Sequence, residues 1–189
     1  VVTDCEIVPF EVVVRGYLAG SLWRAYQKGE DPHDMSLPKG LREFSPFATP
    51  VVTPSTKESD GSHDMPVSHE QVVRSGKVSA KHWEEICRIS LSLFEAGSRF
   101  AEERGLILAD TKYEFGIRNG EILLADEIHT LDSSRYWRAE TYDTALPSGQ
   151  APQMLDKEVV RRWLMAQGYS GEGNPPLVSD EKRIEIARH

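Results

Sequence analysis

The central part of the chain combines the period of β-strands with more charge than a buried strand tolerates. Between Gly105 and Trp137, two strand-like runs, LILADTKYEFGIR and EILLADE, flank a turn at residues 118–120. Alternation with a period of two predicts that one face of the first run carries Leu106, Leu108, Asp110, Lys112 and Glu114. That face changes from apolar to ionic along its length. Because an uncompensated buried charge is strongly destabilising, we expect the charged end to lie in a functional site.

The length of the turn decides whether the acidic residues of the two runs converge. A two-residue turn at 119–120 places Asp126 on the face away from Glu114, whereas a three-residue loop at 118–120 with a bulge places Asp126 opposite Lys112. We predict the three-residue loop, because it gathers two carboxylates and a lysine on one face. One or two carboxylates, completed by phosphates and water, are the usual protein ligands of Mg²⁺. The alternative is a surface hairpin whose cross-strand ion pairs have no chemical role.

Apolar periodicity predicts one further β run and five helices in the rest of the chain. The β run covers residues 5–15. The helices are expected to start at Ser21, Ser68, Ser79, Asp156 and Ser179, each a residue type that caps helix N-termini. The helix starting at Ser79 is the longest, and its apolar stripe includes Trp83, Ile86, Cys87, Ser90, Phe94, Gly97, Phe100 and Ala101. Because prolines are frequent in 31–68, that segment is predicted to be mostly loop, as are residues 128–155 outside any helix.

Composition describes an ordinary globular chain and excludes several classes of protein. The 189 residues fit one domain, with 39% hydrophobic and 28% charged residues. A formal charge of −8 disfavours nucleic acid and anionic membranes as partners. Two cysteines, Cys5 and Cys87, are too few for a disulfide framework, so we expect a reducing, cytoplasmic location. No apolar run approaches the ~20 residues that span a bilayer.

Two other segments contain residues suited to ligand contacts. Arg15 followed by a helix start at Ser21 is an arrangement that binds anions, although plain helix capping is the more frequent reason for such a serine. The long loop carries polar candidates, among them Ser55, Thr56, Lys57, Asp60, His63 and Asp64. His63 beside Asp64 could form an acid–base pair, but adjacent residues rarely face one another. A solvated loop without a ligand is the other interpretation.

Several motifs in order connect these segments to a known family. Residues 9–21 read PFEVVVRGYLAGS and residues 110–116 read DTKYEFG. They are followed by LADEIHTLDSSRYW, and TPSTKESDGSHD lies within the long loop. In these motifs the chain resembles the phosphoribosylaminoimidazole-succinocarboxamide synthase (SAICAR synthetase) family, over nearly all of its length up to about Leu164.

The resemblance implies an α+β fold, an antiparallel sheet with packed helices that forms the larger lobe of a kinase-like or ATP-grasp-like enzyme. It implies that residues 1–189 are the C-terminal catalytic and substrate-binding lobe, and that the smaller N-terminal nucleotide-binding lobe is absent. The family joins 5-amino-1-(5-phosphoribosyl)imidazole-4-carboxylate (CAIR) to L-aspartate with ATP and Mg²⁺, through an acyl phosphate, in purine biosynthesis. We therefore expect a carbon–nitrogen ligase whose isolated larger lobe does not turn over.

The resemblance also implies roles for particular residues. Glu114 and Asp126 would hold Mg²⁺, Lys112 would stabilise the transferred phosphoryl group, and Glu11 would contact the adenine or ribose of ATP. The residues expected to bind CAIR or aspartate are Arg15, Ser21, Lys57, Asp64, Ser134 and Arg135. His33 and His129 are given no role.

Two alternatives remain open at this point. A small-molecule kinase could use the same motif for simple phosphoryl transfer, since only the phosphoribosyl-binding residues argue for ligation. A non-catalytic fragment with a regulatory or scaffolding role is the second alternative.

Overall fold

The computed structural model describes residues 3–57, 64–155, 157–169, 171 and 173–187. Within this part of the chain the strands are β1 (Glu6–Ile7), β2 (Phe10–Tyr17), β3 (Pro46–Thr56), β4 (Leu106–Arg118), β5 (Glu121–Ala125) and β6 (Ser134–Arg138). The helices are α1 (Gly20–Gln27), α2 (His69–Arg74), α3 (Ala80–Glu102), α4 (Ala139–Ser148), α5 (Glu158–Ala166) and α6 (Asp180–Ala187). All the strand pairs described are antiparallel, and the predicted α+β class is confirmed.

Strand β4 is the centre of the sheet. It pairs with β2 and β1 along one edge and with β6 and β5 along the other, and β3 extends the sheet beyond β2. The side chains of β2 and β4 that face α3 are apolar and buried, including Val12, Val14, Tyr113 and Phe115. The opposite face of the same strands is left to carry charge.

A bulge interrupts the alternation of β4 and corrects the predicted assignment of its faces. The pairing of β4 with β6 shifts between Leu108 and Asp110, so Ala109 is an extra residue. An extra residue moves the side chains that follow it to the opposite face. Leu106 and Leu108 therefore pack in the same cluster as Tyr113, and the prediction that they share a face with the charged residues is wrong.

Helix α3 has the predicted position and the predicted buried stripe. The Ser79 hydroxyl accepts a hydrogen bond from the backbone N–H of His82 at 3.1 Å, which caps the helix. The buried residues of α3 are Trp83, Ile86, Ser90, Phe94, Gly97 and Ala101. The prediction for Phe100 is wrong, since it is 61% exposed and the Arg104 guanidinium covers its ring. The short capped helix at Ser68 is confirmed as α2.

Two segments predicted as loops contain regular structure. The segment 31–68 contributes β3, whose prolines are tolerated because β3 lies at the edge of the sheet. Residues 134–148 form β6 and α4, although apolar and polar residues there follow neither the strand period nor a clear helix period. The predicted cap Asp156 and the loop residues Asp60 and His63 lie outside the described residues.

A second apolar cluster fixes β6 and the start of α1 against each other. Trp137 of β6 is fully buried and makes edge-on ring contacts with Phe44 and Tyr17, at centroid distances of 5.3 and 5.1 Å. Ala19, which precedes α1, belongs to the same cluster. Because Arg135 is two residues from Trp137 on the same strand, this packing also fixes where Arg135 lies.

Among the described residues, the search for long apolar helices finds none that could cross a lipid bilayer.

Candidate functional site

The charged face of the sheet forms the floor of a cavity of about 370 Å³, here called the inner cavity. Strands β2 and β4 contribute Glu11, Val13, Arg15, Asp110 and Lys112. The walls contribute Ser21, Asp64, Asp132, Ser133, Ser134, Arg135, Lys157 and Arg161. Seven of the ten predicted site residues therefore line a single cavity, although they are spread over more than 120 positions of the chain.

Arg15 is a firmly held cation of the inner cavity. Its Nε donates to the Thr53 hydroxyl at 2.9 Å, its Nη1 donates to Asp110 at 3.2 Å, and its Nη2 donates to the Ser21 hydroxyl at 3.1 Å. Burial lowers the pKa of Arg15, and the neighbouring Asp110 carboxylate opposes that shift. Ser21 does not cap α1 as predicted, since α1 begins at Gly20 after Ala19, and its hydroxyl serves Arg15 instead.

Asp110 is a charged residue of the inner cavity to which the sequence analysis assigned no role. The residue is 6% exposed, and its carboxylate forms ion pairs with both Arg15 and Arg135. In this desolvated cluster the carboxylate attracts each guanidinium more strongly than exposed ions attract one another, and it offsets the repulsion between the two arginines. The sequence does indicate a role for Asp110, because a charged residue that directly follows the apolar run LILA needs a partner when the strand is buried.

Gly20 makes room for the second arginine of this cluster. A Cβ atom at position 20 would lie 2.6 Å from Nη2 of Arg135, so any larger residue would displace the guanidinium. Arg15, Ser21 and Arg135 thus converge on one wall of the inner cavity, and two of the three carry a positive charge. Such a group binds phosphate or carboxylate.

A chain of alternating lysines and glutamates occupies the other end of the charged face. Lys112 donates to Glu11 at 2.6 Å and lies 3.5 Å from Glu114, and Glu114 also pairs with Lys57. Burial acts to lower the pKa of Lys112, but its hydrogen bond and charge interaction with Glu11 raise the pKa above the ordinary value. Lys112 is therefore a fixed cation, which suits charge stabilisation and not proton abstraction.

The predicted three-residue loop between β4 and β5 is wrong. Arg118 pairs with Glu121 across a two-residue turn, in which Asn119 and Gly120 have φ of 52° and 80°. These left-handed angles are typical of the two-residue turn whose twist matches that of the flanking strands. The preference of Asn119 and Gly120 for this turn decides the register of the hairpin. Lys112 is consequently not opposite Asp126.

Asp126 nevertheless follows directly after the residue that pairs with Glu114. Ala125 is the partner of Glu114, and opposed Cα atoms in antiparallel strands lie about 4.5–5.5 Å apart. Strand β5 ends at Ala125, and Asp126 has φ of 60°, so strand alternation does not decide which face Asp126 takes. Asp126 is exposed and, like Glu114 and Lys57, lies outside the lining of the inner cavity.

The remaining predicted residues are brought to the inner cavity by the walls. Ser134 is buried, and its hydroxyl lies 2.8 Å from that of Thr111. Asp64 reaches the cavity from the end of the long loop. The predicted His63–Asp64 pair lies partly outside the described residues, so it stays a prediction.

Helix α5 and the residue before it supply two cations to which the sequence analysis assigned no role. Lys157 and Arg161 line the inner cavity and also a larger space of about 890 Å³ beside it, here called the outer cavity. The outer cavity shares Ser21, Asp64 and Arg135 with the inner one and adds a wall of Arg24, Val160, Leu164, Met165, Tyr169 and Gly171. Lys157 forms an ion pair with Asp132 at 2.8 Å, which joins α5 to the loop before β6. Lys157 and Arg161 are about one helical turn apart, and this spacing could have indicated a shared cationic face. The valines between them are typical of a helix that packs on a core, and they favoured that interpretation.

The carboxylates near β4 are suited by their chemistry to a hard cation. Glu114 is a buried carboxylate whose oxygens already contact two cations, and Asp126 is adjacent to its cross-strand partner. Two such oxygens with phosphates and water match the usual Mg²⁺ environment. Within the described ranges no group of three or more potential protein ligands is clustered, so the protein alone would supply only part of a coordination sphere.

These features define a class of protein before any comparison. An antiparallel sheet packs α3 on one face and presents, on its other face, a group of two arginines and a serine beside a lysine–carboxylate network. Such an arrangement is typical of enzyme sites that bind phosphorylated, anionic molecules.

The chain belongs to the SAICAR synthetase family. The profile of that family matches residues 1–176. A phosphoribosylaminoimidazole-succinocarboxamide synthase of Bacteroides fragilis is 47% identical over 192 aligned residues, covering 96% of this chain and 61% of that protein.

Solved structures agree with the sequence comparison. The SAICAR synthase of Saccharomyces cerevisiae complexed with SAICAR superposes with a TM-score of 0.78 at 33% identity, covering 98% of this chain and 58% of that one. A SAICAR synthetase in complex with ADP superposes with a TM-score of 0.63 at 28% identity, over 93% and 67% of the two chains. The chain thus spans about three fifths of the length of the relatives that it matches.

Proposed function

We propose that this chain provides the substrate-binding face of an ATP-dependent carbon–nitrogen ligase that joins CAIR to L-aspartate to form SAICAR. Membership of the SAICAR synthetase family supports the reaction. One observation carries the proposal: a single cavity places the Arg15–Ser21–Arg135 group beside the network of Glu11 and Lys112. A ligase needs such an arrangement because it must hold a phosphorylated substrate next to the nucleotide.

The arginine group is proposed to bind the ribose phosphate of CAIR. The three hydrogen bonds of Arg15 use three of its five N–H groups, so the guanidinium retains donors for a ligand. Arg135 adds a second guanidinium, held in place by Asp110, and Ser21 adds a hydroxyl. Preformed cations lose little conformational freedom when the phosphate binds, which favours affinity.

The chemistry requires activation of a carboxylate before the amine can attack. A carboxylate oxygen of CAIR attacks the γ-phosphorus of ATP, the bond to the β-phosphate oxygen breaks, and ADP leaves. The amine of aspartate then attacks the carbonyl carbon of the acyl phosphate, inorganic phosphate leaves, and the nitrogen loses a proton. Both steps depend on alignment and charge stabilisation more than on a protein nucleophile.

The lysine–carboxylate network is proposed to face the nucleotide. Lys112, a fixed cation, stabilises the charge on the transferred phosphoryl group, and Lys57 adds a second positive charge at the same end of the face. Glu11 accepts hydrogen bonds from the nucleoside. Glu114 and Asp126 would hold Mg²⁺, which neutralises phosphate charge when it is bound. The related synthetase solved in complex with ADP supports the use of a nucleotide by proteins of this fold.

The outer cavity is proposed to receive L-aspartate. It adjoins the arginine group, and its lining, as far as the structure describes it, carries four cationic side chains, Arg24, Arg135, Lys157 and Arg161, and the carboxylate of Asp64. An excess of positive charge attracts a dicarboxylate, and Asp64 suits the ammonium group of an amino acid. Ser134, which lines the inner cavity only, is proposed to contact CAIR.

The proposal is tested by assaying the complete polypeptide with CAIR and ATP, with and without L-aspartate. We expect SAICAR and ADP in equal amounts when all three substrates are present. Steady release of ADP from CAIR and ATP at an unchanged rate without aspartate would instead identify a small-molecule kinase and overturn the ligase.

Two variants test the metal ligands in the same assay. Glu114→Gln and Asp126→Asn should each lower kcat by roughly a hundredfold or more, because charge stabilisation is a large share of phosphoryl-transfer catalysis. Circular dichroism should show an intact fold, and the exposed Glu121→Gln on the same hairpin serves as control. An unfolded Glu114 variant would mean that this carboxylate is structural, and a fully active Asp126→Asn would remove Asp126 from the metal site.

A further inference from the structure

The loop that follows β5, residues 126–133, is here called the acid loop. It begins at Asp126 and ends at Ser133, whose carbonyl accepts a hydrogen bond from the backbone N–H of Lys112 at 2.9 Å. In its middle, His129 has φ of 58°, in the left-handed region that residues other than glycine rarely adopt. Such a conformation persists only where surrounding contacts hold it.

Three contacts hold His129 in this conformation. Its Nε2 lies 2.7 Å from the Tyr113 hydroxyl, and its carbonyl accepts a hydrogen bond from the Tyr136 hydroxyl at 3.0 Å. Its ring lies against Gly97 of α3, where a Cβ atom would come within 2.4 Å of Cε1. Because the imidazole is fixed by Tyr113 it cannot turn aside, so position 97 must be glycine for the ring to fit.

The placement of Gly97 is otherwise unfavourable. Glycine in the middle of a long helix weakens it, and α3 contains no other glycine. This loss of helix stability is explained if the space left by the missing side chain at Gly97 is needed for the imidazole. Burial lowers the pKa of His129, so the imidazole is neutral near pH 7, and its Nε2 lies 2.7 Å from the Tyr113 hydroxyl.

Strand β4 therefore carries one proposed metal ligand, Glu114, and contacts the loop that carries the other, Asp126. Glu114 lies on its charged face, and Tyr113, the residue before it, lies on the opposite face and holds the acid loop through His129. Since Asp126 is only three residues from His129, movement of the imidazole would move the start of the loop.

We propose that His129, seated against Gly97 and paired with Tyr113, is a positioning residue that holds Asp126 in place relative to Glu114. It acts through the acid loop and does not touch a substrate. The proposal rests on the proposed function in one respect, the assignment of Asp126 to Mg²⁺. Its physical core, the dependence of the loop on the Gly97–His129 contact, can be measured without any ligand.

The test is a double-mutant cycle in the complete polypeptide, with Gly97→Ala, His129→Asn and the pair combined. Asparagine tolerates the left-handed conformation but lacks the ring. We expect amide hydrogen exchange in residues 126–134, without ligands, to become about tenfold faster in each single variant. In the His129→Asn background, Gly97→Ala should add no further increase and should raise Tm, because alanine favours a helix.

Activity supplies the second measurement. Gly97→Ala should raise the Mg²⁺ concentration needed for half-maximal activity by about tenfold, with a smaller effect on the KM for CAIR. Tyr113→Phe removes only the hydroxyl and should act in the same direction, which keeps the proposal testable if Gly97→Ala does not fold.

The outcomes distinguish the positioning role of His129 from the assignment of Asp126 to Mg²⁺, on which that role rests. If Gly97→Ala accelerated exchange equally with and without His129, the loop would not depend on the Gly97–His129 contact, and the proposal would be overturned. An inactive Asp126→Asn together with an unchanged Mg²⁺ requirement in Gly97→Ala would overturn the positioning role. A fully active Asp126→Asn would overturn the metal assignment and the positioning role with it, while the exchange cycle would still report the contact itself.

Discussion

At the scale of single residues, the site depends on buried charges that are neutralised by one another. Asp110 receives two arginines, and Glu114 receives two lysines, on the same face of one sheet. Removing one partner of such a cluster leaves an uncompensated charge in a medium that solvates it poorly. The charges therefore both stabilise the fold and define the polarity of the inner cavity.

Asp110→Asn is predicted to destabilise the protein and to weaken the proposed phosphate site. Because it leaves Arg15 and Arg135 close together without their shared carboxylate, we expect the free energy of unfolding to fall by about 3 kcal/mol. Urea denaturation followed by tryptophan fluorescence measures this. Glu85→Gln, which breaks an exposed pair with Arg88 on α3, is the control and should have a much smaller effect. An equally small effect of Asp110→Asn would show that the cluster does not depend on charge.

At the scale of elements, helix α5 and Lys157, the residue before it, line both cavities, and two ion pairs, Lys157 with Asp132 and Arg162 with Glu43, connect them to the rest of the molecule. The hydrogen bond and charge of Lys157 lower the pKa of Asp132. Arg162, one residue after Arg161, turns away from the cavities, pairs with Glu43 at 2.9 Å and lies over the Phe44 ring. Neighbouring arginines on one helix thus have different surroundings and, we infer, different tasks.

This difference supplies a matched pair of variants. Arg161→Ala should raise the KM for L-aspartate by about tenfold or more, the effect of losing one charge-assisted hydrogen bond, with little change in the KM for ATP. Arg162→Ala should lower thermal stability and leave the KM for aspartate unchanged. Steady-state kinetics with each substrate varied in turn measures both. Similar aspartate KM values for the two variants would exclude the outer cavity as the aspartate site.

At the scale of the whole molecule, the two ends of the charged face differ in how fully this chain encloses them. The Arg15 cluster is walled by α1, β6 and α5, and Arg15 and Asp110 are almost fully buried. The proposed nucleotide end remains open, since the side chains of Lys57 and Lys112 are 38% and 34% exposed. The matched relatives are longer than this chain by about two fifths of their own length.

We therefore predict that a polypeptide of residues 1–189 alone does not form SAICAR, because one side of the proposed nucleotide site is not enclosed. The measurement is SAICAR formation from CAIR, ATP and L-aspartate, beside circular dichroism to establish that the polypeptide is folded. The complete polypeptide assayed under the same conditions is the control. Comparable turnover by the two would contradict the prediction.

The local sequence determined the elements whose signals are local. Capping at Ser79 and Ser68, the apolar period of α3 and the motifs around Arg15 and Lys112 predicted those elements, the family and a charged sheet face. The edge strand β3 and the strand β6 were missed, because their pairing partners are distant in the chain and their own residues resemble loops.

The tertiary structure decided which of the charged residues meet. The bulge at Ala109 sets the faces of β4, the two-residue turn sets its register with β5, and neither is determined by the chemistry that the faces carry. Contacts between segments far apart in the chain place Asp110 between two arginines, Arg161 beside the cavities and the His129 ring against Gly97 of α3. Residue types and spacing report the chemistry available to a chain, whereas the distances between its charged groups exist only once the sheet has paired and the helices have packed on it.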